Sequence, residues 1–251
     1  MTSFAIIVCM FAVMAIGSMV QSIAGMGFGM VVVPVLSLMI GSADGVLLGN
    51  LAGTVTAGML AYTKRQDTEW KKVLILFLSS LPGVILTALL LSHLPHAWLD
   101  FVVGGLMMGL VVFSLTALRF PPVYGMFPLV MTGFISGILS TTVAQSGPIM
   151  AAYAQAARWK QRAFAATLQP YFLLLNLVVI PSKMMTGLGT VSFLTPSMII
   201  GSCVVIIISA LIAVPLTHYV SAFFARNLAI GIAGIGAIII FVRGTFALIT
   251  N

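Results

Sequence analysis

Two short motifs interrupt otherwise apolar stretches of the chain: GMGFG at Gly25 to Gly29 and VAQSGP at Val143 to Pro148. In the first, three glycines alternate with bulky residues, which permits left-handed dihedrals and lets another backbone or a ligand approach closely. In the second, Ser146, Gly147 and Pro148 read as a helix start. The serine offers a hydroxyl cap, and the proline falls near the first turn, where its missing N–H costs nothing. Each motif is therefore expected to end one helix and begin another, with unsatisfied N–H groups and a positive dipole end at the new start. Two such ends converging inside a membrane would bind an anion through backbone donors, with no lysine or arginine needed, and no buried cation is expected in this sequence.

The candidate substrate-binding residues are Gly25, Gly27, Phe28 and Gly29 in the first break, Gln145, Ser146, Gly147 and Pro148 in the second, and Asn50 and Gln169 on two following segments. Gln21, Ser22, Thr141, Thr142, Thr54, Thr56, Tyr171 and Asn176 lie close enough in sequence to line the same path. A blander use exists for each type. Glycines in membrane helices serve close packing, and buried amides serve interhelical hydrogen bonds.

The segments that must carry these residues are membrane helices. Of the 251 residues, 61% are hydrophobic and only 6% charged, too few charges to clothe a soluble surface. The net charge of +7 resides in short connectors and reads as a topology signal, so nucleic acid is not an expected partner while the lipid bilayer is. Charge-free runs extend over Met1 to Ala43, Gly45 to Tyr62, Val73 to Leu99, Phe101 to Leu118, Phe120 to Ala157, Ala163 to Ser182, Met184 to Ala225 and Asn227 to Val242. The first and the central runs exceed one crossing, and these are the two that carry the breaks. The N-terminal run lacks a basic start and continues into the glycine motif, so it is expected to be retained and not cleaved as a signal peptide.

Laying the chain on itself so that Gly29 meets Gly147 also brings Ser18 onto Ser136 and the Asp44 connector onto Arg162. The layout predicts an all-α polytopic protein of two inverted repeats, 1–119 and 120–251, forming one transporter domain. Each repeat holds a broken helix or hairpin and three transmembrane helices, about eight transmembrane segments in all. With hairpins that return to their own side, Lys64, Arg65, Lys71, Lys72, Arg119, Arg158, Lys160, Arg162 and Arg226 fall inside, leaving Lys183 and Arg243 of the 11 basic residues outside together with both termini.

Other chemistries find little support. No Walker-type glycine loop ends in Lys followed by Ser or Thr. Asp44 and Asp100 lie near span ends, and His93, His96, Trp98 and His218 suit interfacial anchoring, as do Trp70 and Trp159, so no catalytic constellation is expected. Cys9, Cys203 and the 16 methionines read as packing residues, and no metal or cofactor is expected. A cation or neutral-solute carrier, or a membrane scaffold without transport, remains the alternative to an anion transporter.

The ordered set GMGFGMVVVPVL (Gly25 to Leu36), GFISGILSTTVAQSGPIMAAY (Gly133 to Tyr153) and RAFAATLQPYFLLLN (Arg162 to Asn176) resembles the sulfite exporter TauE/SafE family over essentially the whole chain. The resemblance implies a bacterial inner-membrane protein of two related halves that exports sulfite, sulfoacetate or another small sulfur-containing anion. It places the family's motif glycines on Gly25, Gly27 and Gly29, and its second motif on Ser146, Gly147 and Pro148. Ile149 stands where many relatives carry a further proline.

Overall fold

Bilayer hydrocarbon offers no partner to a backbone N–H or C=O, so apolar runs of this kind must satisfy their own backbone as helices. The computed structural model describes residues 4–116, 121–190, 195–216 and 219–250. Over these it is all-helical: α1 (Phe4–Ala24), α2 (Phe28–Ile40), α3 (Ser42–Thr63), a 3-10 turn (Arg65–Asp67), α4 (Trp70–Ser92), α5 (His96–Leu115), α6 (Met126–Val143), α7 (Gly147–Ala156), α8 (Gln161–Met185), α9 (Pro196–Leu216) and α10 (Ala222–Ile249). Eight helices are long and apolar enough to cross a membrane, all but α2 and α7. Arg119, His218 and the boundary between 119 and 120 lie outside the described residues, as does the side chain of His96.

Both interrupted runs fold back on themselves. A Cβ on Gly17 of α1 would fall 2.5 Å from Val32 and 3.3 Å from Phe28, and Ile6 and Ile7 pack on the same core as Met39 and Ile40. In the second run, the Val123 N–H donates to the Ala156 carbonyl at 3.1 Å, which ties the entrance of α6 to the exit of α7. The arms are unequal, a detail the sequence reading did not anticipate. α1 and α6 have 21 and 18 residues, enough to cross by themselves. α2 has 13 and α7 has 10, so at helical rise they reach only about 20 and 15 Å, against a hydrocarbon thickness of about 30 Å.

Polar groups sort to two ends. At one, Arg162 pairs with Asp67 (2.7 Å), Trp159 Nε1 donates to Glu69 (2.6 Å), Lys72 pairs with Glu69 (2.8 Å) and sits 4.0 Å above the Trp159 ring. Those contacts fasten the connector before α4 to the connector before α8. At the other end Arg243 pairs with Asp100 (2.8 Å) and reaches the Ser37 carbonyl (3.2 Å), while Asp44 accepts from the Thr190 N–H (2.6 Å). The division follows the sorting of basic residues in the sequence.

Lys183 departs from expectation. It lies toward the same end as Arg243, in the last turn of α8, but it is 1% exposed, a buried lysine where the sequence leads one to expect no buried cation. α8 continues past it to Met185, and the chain turns only at Gly187, with φ 71. A cation at a helix C-terminus gains about 0.3 to 2 kcal/mol from the dipole. Desolvating an ammonium costs several kcal/mol. Helix-end attraction alone therefore does not account for its burial.

Candidate functional site: two helix starts at one cavity

The left-handed dihedrals foreseen for the first break occur at Gly25 (φ 79) and Gly27 (φ 111), which end α1 and set the start of α2. Gly29 is needed for a different reason. A Cβ there would overlap the Ala144 carbonyl oxygen and lie 3.0 Å from its carbon, so only glycine lets the two breaks touch. The second break turns at Ala144, a residue with a side chain held at φ 50, a conformation that costs a non-glycine residue about 1–2 kcal/mol.

The first rungs of the new helices are Val31 N–H to Gly27 O and Met150 N–H to Ser146 O, both 3.2 Å. Helix geometry therefore leaves the N–H groups of Phe28, Gly29 and Met30 on α2, and of Gly147 and Ile149 on α7, outside the helical ladder. Pro148 occupies the second position of α7, as its missing N–H favours. Ser146 stands at the N-cap, but its hydroxyl makes no capping bond, which corrects that part of the sequence reading.

A cavity of about 50 Å³ lies between the starts, lined by Gly27, Phe28, Gly29, Gln145, Ser146 and Gly147 from the breaks. α3 contributes Asn50 and Gly53 to it, and α8 contributes Asn176. These positions are near the middle of α3 and α8, which places the cavity about halfway along the two helices. No lining residue carries a charge. The Asn50 amide donates to the Ser140 carbonyl at 3.4 Å, and Gln145 Nε2 donates to the Gly29 carbonyl at 3.3 Å, fastening break to break. Gln145 Oε1 is buried without a partner among the described residues.

Three predicted residues stand back from the cavity. Gln169 is fully buried, and its Nε2 donates to Gly25 O (2.8 Å) and Ala165 O (3.1 Å) while its Oε1 accepts from Gln21 (3.0 Å). Its amide thereby holds the end of α1 in place. Gly25 supplies the turn, and Pro148 lines an adjoining cavity of about 140 Å³ shared with Met26, Gly27 and Met30. Tyr171 bonds Ser136 at 2.7 Å, and the hydroxyls of Ser22, Thr54, Thr141 and Thr142 bond carbonyls one turn back in their own helices. Thr56 is buried with no partner for its hydroxyl among the described residues. Gly53, Ser140 and Phe172 line the cavity without having been singled out in the sequence. Spacing alone gives them no polar signal beyond ordinary helix packing.

The 140 Å³ cavity leads past Arg226 to a larger vestibule that also bears Arg158 and Trp159. Lys64 Nζ, at the end of α3, approaches the Ser22 carbonyl at 3.5 Å, and burial pushes this lysine below its ordinary pKa. Toward the other end a separate cavity of about 10 Å³ lies beside Thr141, Thr142 and Lys183 and adjoins a vestibule bearing Asp44, Asp100 and Arg243.

No curated protein and no solved structure matches the chain. The family model described as Sulfite exporter TauE/SafE matches residues 9–240, so both breaks, every residue lining the cavity and the first two thirds of α10 lie inside the match. With eight helices among the described residues long and apolar enough to cross a membrane, packed around paired helix starts, the chain is a membrane transporter, and it belongs to the sulfite exporter TauE/SafE family.

Proposed function

We propose that the protein is a secondary transporter that exports a small sulfur-containing anion, sulfite or an organosulfonate such as sulfoacetate, across a bacterial inner membrane. The carrying observation is the meeting of two helix N-termini at one uncharged cavity. A sulfite or sulfonate group presents three oxygens on one compact centre. Backbone N–H groups from α2 and α7, with the amides of Asn50, Asn176 and Gln145 alongside, supply donors from several directions at once. The dipole ends supply the charge complement.

Transport follows from alternating exposure of this cavity to the two sides, with 1–119 and 120–251 as inverted repeats moving against each other. The side bearing Lys64, Arg158, Arg162 and Arg226 is the cytoplasm by the excess of basic residues there. In that orientation the 140 Å³ cavity lies on the cytoplasmic side of the central cavity and the 10 Å³ cavity on the outer side.

All four acidic residues, Asp44, Asp67, Glu69 and Asp100, lie at the two ends of the bundle, so no carboxylate relay runs through the midplane. An inside-negative potential favours anion export by about 2.3 kcal/mol per charge per 100 mV, enough to expel a monovalent anion without a coupled ion.

A second reading has one observation in its favour. The unpartnered Gln145 Oε1 is an acceptor, which would suit a cation, although it would equally receive the acidic O–H of hydrogensulfite. Proteoliposome flux separates the two. Labelled sulfite should move in response to an imposed potential, and Gln145→Ala and Ser146→Ala should lower its flux at least tenfold while leaving the protein folded. Flux of sodium but not of sulfite would overturn the anion reading, and near-wild-type flux in both variants would remove the site from the breaks.

A further inference from the structure

We infer that Lys183 forms a second anion-binding station, in the half of the pathway opposite the Arg226 vestibule, where a substrate leaving the midplane cavity is held before release. The inference rests on the transport reading above and adds a site to it. Lys183 is 1% exposed, and no carboxylate among the described residues comes within ion-pair distance of it. Its neighbours in the narrow cavity include Ser42, Thr141 and Thr142. The two threonine hydroxyls already donate to Gly137 O and Ile138 O, so neither offers its proton elsewhere. The Ser42 hydroxyl is buried with no partner.

An ammonium and a free hydroxyl thus face one space of about 10 Å³, room for about one water, without a counter-charge, an arrangement that an oxyanion completes by accepting from both when this half of the protein opens. The first turn of α3 adds to it. Ser42 and Ala43 both line this space, and they begin a helix of 22 residues whose first N–H groups have no helical partner.

Position supports the role. Val46 lines the narrow cavity and Asn50, one turn further along α3, lines the midplane cavity. Thr141 and Thr142 flank the first space while Ser140 and Ala144 flank the second. Beyond it, Ser42, Ala43 and Leu188 are shared with the vestibule that holds Asp44 and Arg243. Arg243 is already paired with Asp100, and Asp44 is engaged by the Thr190 N–H. Among the described residues Lys183 is therefore the cation in this half that has no anionic partner. An anion stepping from the helix starts to Lys183 would move about one or two helical turns.

The test uses the full-length protein. Equilibrium binding of labelled sulfite in detergent reads the midplane cavity, and sulfite flux in proteoliposomes reads the whole path. Lys183→Met should bind sulfite within about threefold of wild type and unfold at no lower temperature, yet show flux reduced at least tenfold. Lys183→Arg should keep at least a third of wild-type flux, and Ser42→Ala should fall between wild type and Lys183→Met. Flux within twofold of wild type in Lys183→Met would overturn the station. So would loss of binding together with flux, since the lysine would then be structural, and so would a Lys183→Arg variant no better than Lys183→Met. Absence of sulfite flux in the wild-type protein would instead overturn the transport reading itself.

Discussion

Replacing Gly29 with alanine tests whether contact between the breaks is what makes the site. The new methyl group would overlap the Ala144 carbonyl oxygen and lie 3.0 Å from Ala144 C and 3.2 Å from Gln145 Cγ. Carbon atoms prefer separations of about 3.5–4.0 Å, so relieving the overlap demands that the two breaks part by roughly 1 Å. Gln145 Nε2 now lies 3.3 Å from Gly29 O, and such a shift carries that bond past the limit of a hydrogen bond. Overpacking costs about 1–3 kcal/mol, and leaving a buried carbonyl and amide unpaired costs about 1–3 more. The variant should therefore lose about 2–6 kcal/mol of stability, visible as an earlier thermal transition in detergent, and sulfite flux should fall at least tenfold in whatever fraction remains folded. Gly109→Ala is the control, because nothing lies within 4 Å of a Cβ there. Flux and melting temperature in Gly29→Ala matching those of Gly109→Ala would refute the interlocked geometry.

Gln169→Leu should leave the Gly25 carbonyl and the Gln21 amide without their partner, costing about 2–3 kcal/mol, and should abolish flux although Gln169 does not line the cavity; thermal unfolding and flux measured together check this. Ala144→Gly should gain about 1 kcal/mol by removing a side chain from a left-handed backbone position, seen as a rise in melting temperature. Burial lowers the pKa of Lys64 beneath its ordinary 10.5, so its charged form opposes folding at neutral pH. That opposition fades as pH rises from the lowered value toward 10.5, so stability should climb over that window, and Lys64→Met should flatten the slope in pH-dependent melting curves. Cysteines placed at Gln66 and Gln161 should both label from the cytoplasmic side; labelling of Gln161 alone from outside would break the proposed topology.

What could be read from the sequence was local chemistry. Alternating glycines and a Ser-Gly-Pro start announce broken helices because they act through dihedrals and missing donors within a few residues. Basic residues in connectors sorted the two ends because charge avoids hydrocarbon. The same rule misleads at Lys183, a charge between apolar runs that does not mark a connector. The stop signal was four residues on, in the glycine of TGLG at Thr186 to Gly189, and reading that first would have placed the lysine inside α8. Gln169 could not be told from a ligand because its three partners come from α1, its own helix and the first break, a tertiary arrangement that no spacing encodes. The Ser146 cap failed for a related reason, since cap geometry depends on the approach angle of the preceding turn, here set by Ala144.

The contact between Gly29 and Ala144 has a mechanical consequence. A joint at which the tip of a short rod, α2, bears on the turn between two others, α6 and α7, behaves as a fulcrum placed beside the load. Tilting α2 by about 10° around that point would swing its far end, about 20 Å away, by about 3.5 Å, while displacing the tip itself by a small fraction of this. Motion large enough to open or shut a vestibule would then leave the donors around a bound ion almost still. The ion would ride at the quiet centre of the movement, and the work of each stroke would fall on the peripheral struts, such as the Arg243 contact with Ser37 at the far end of α2.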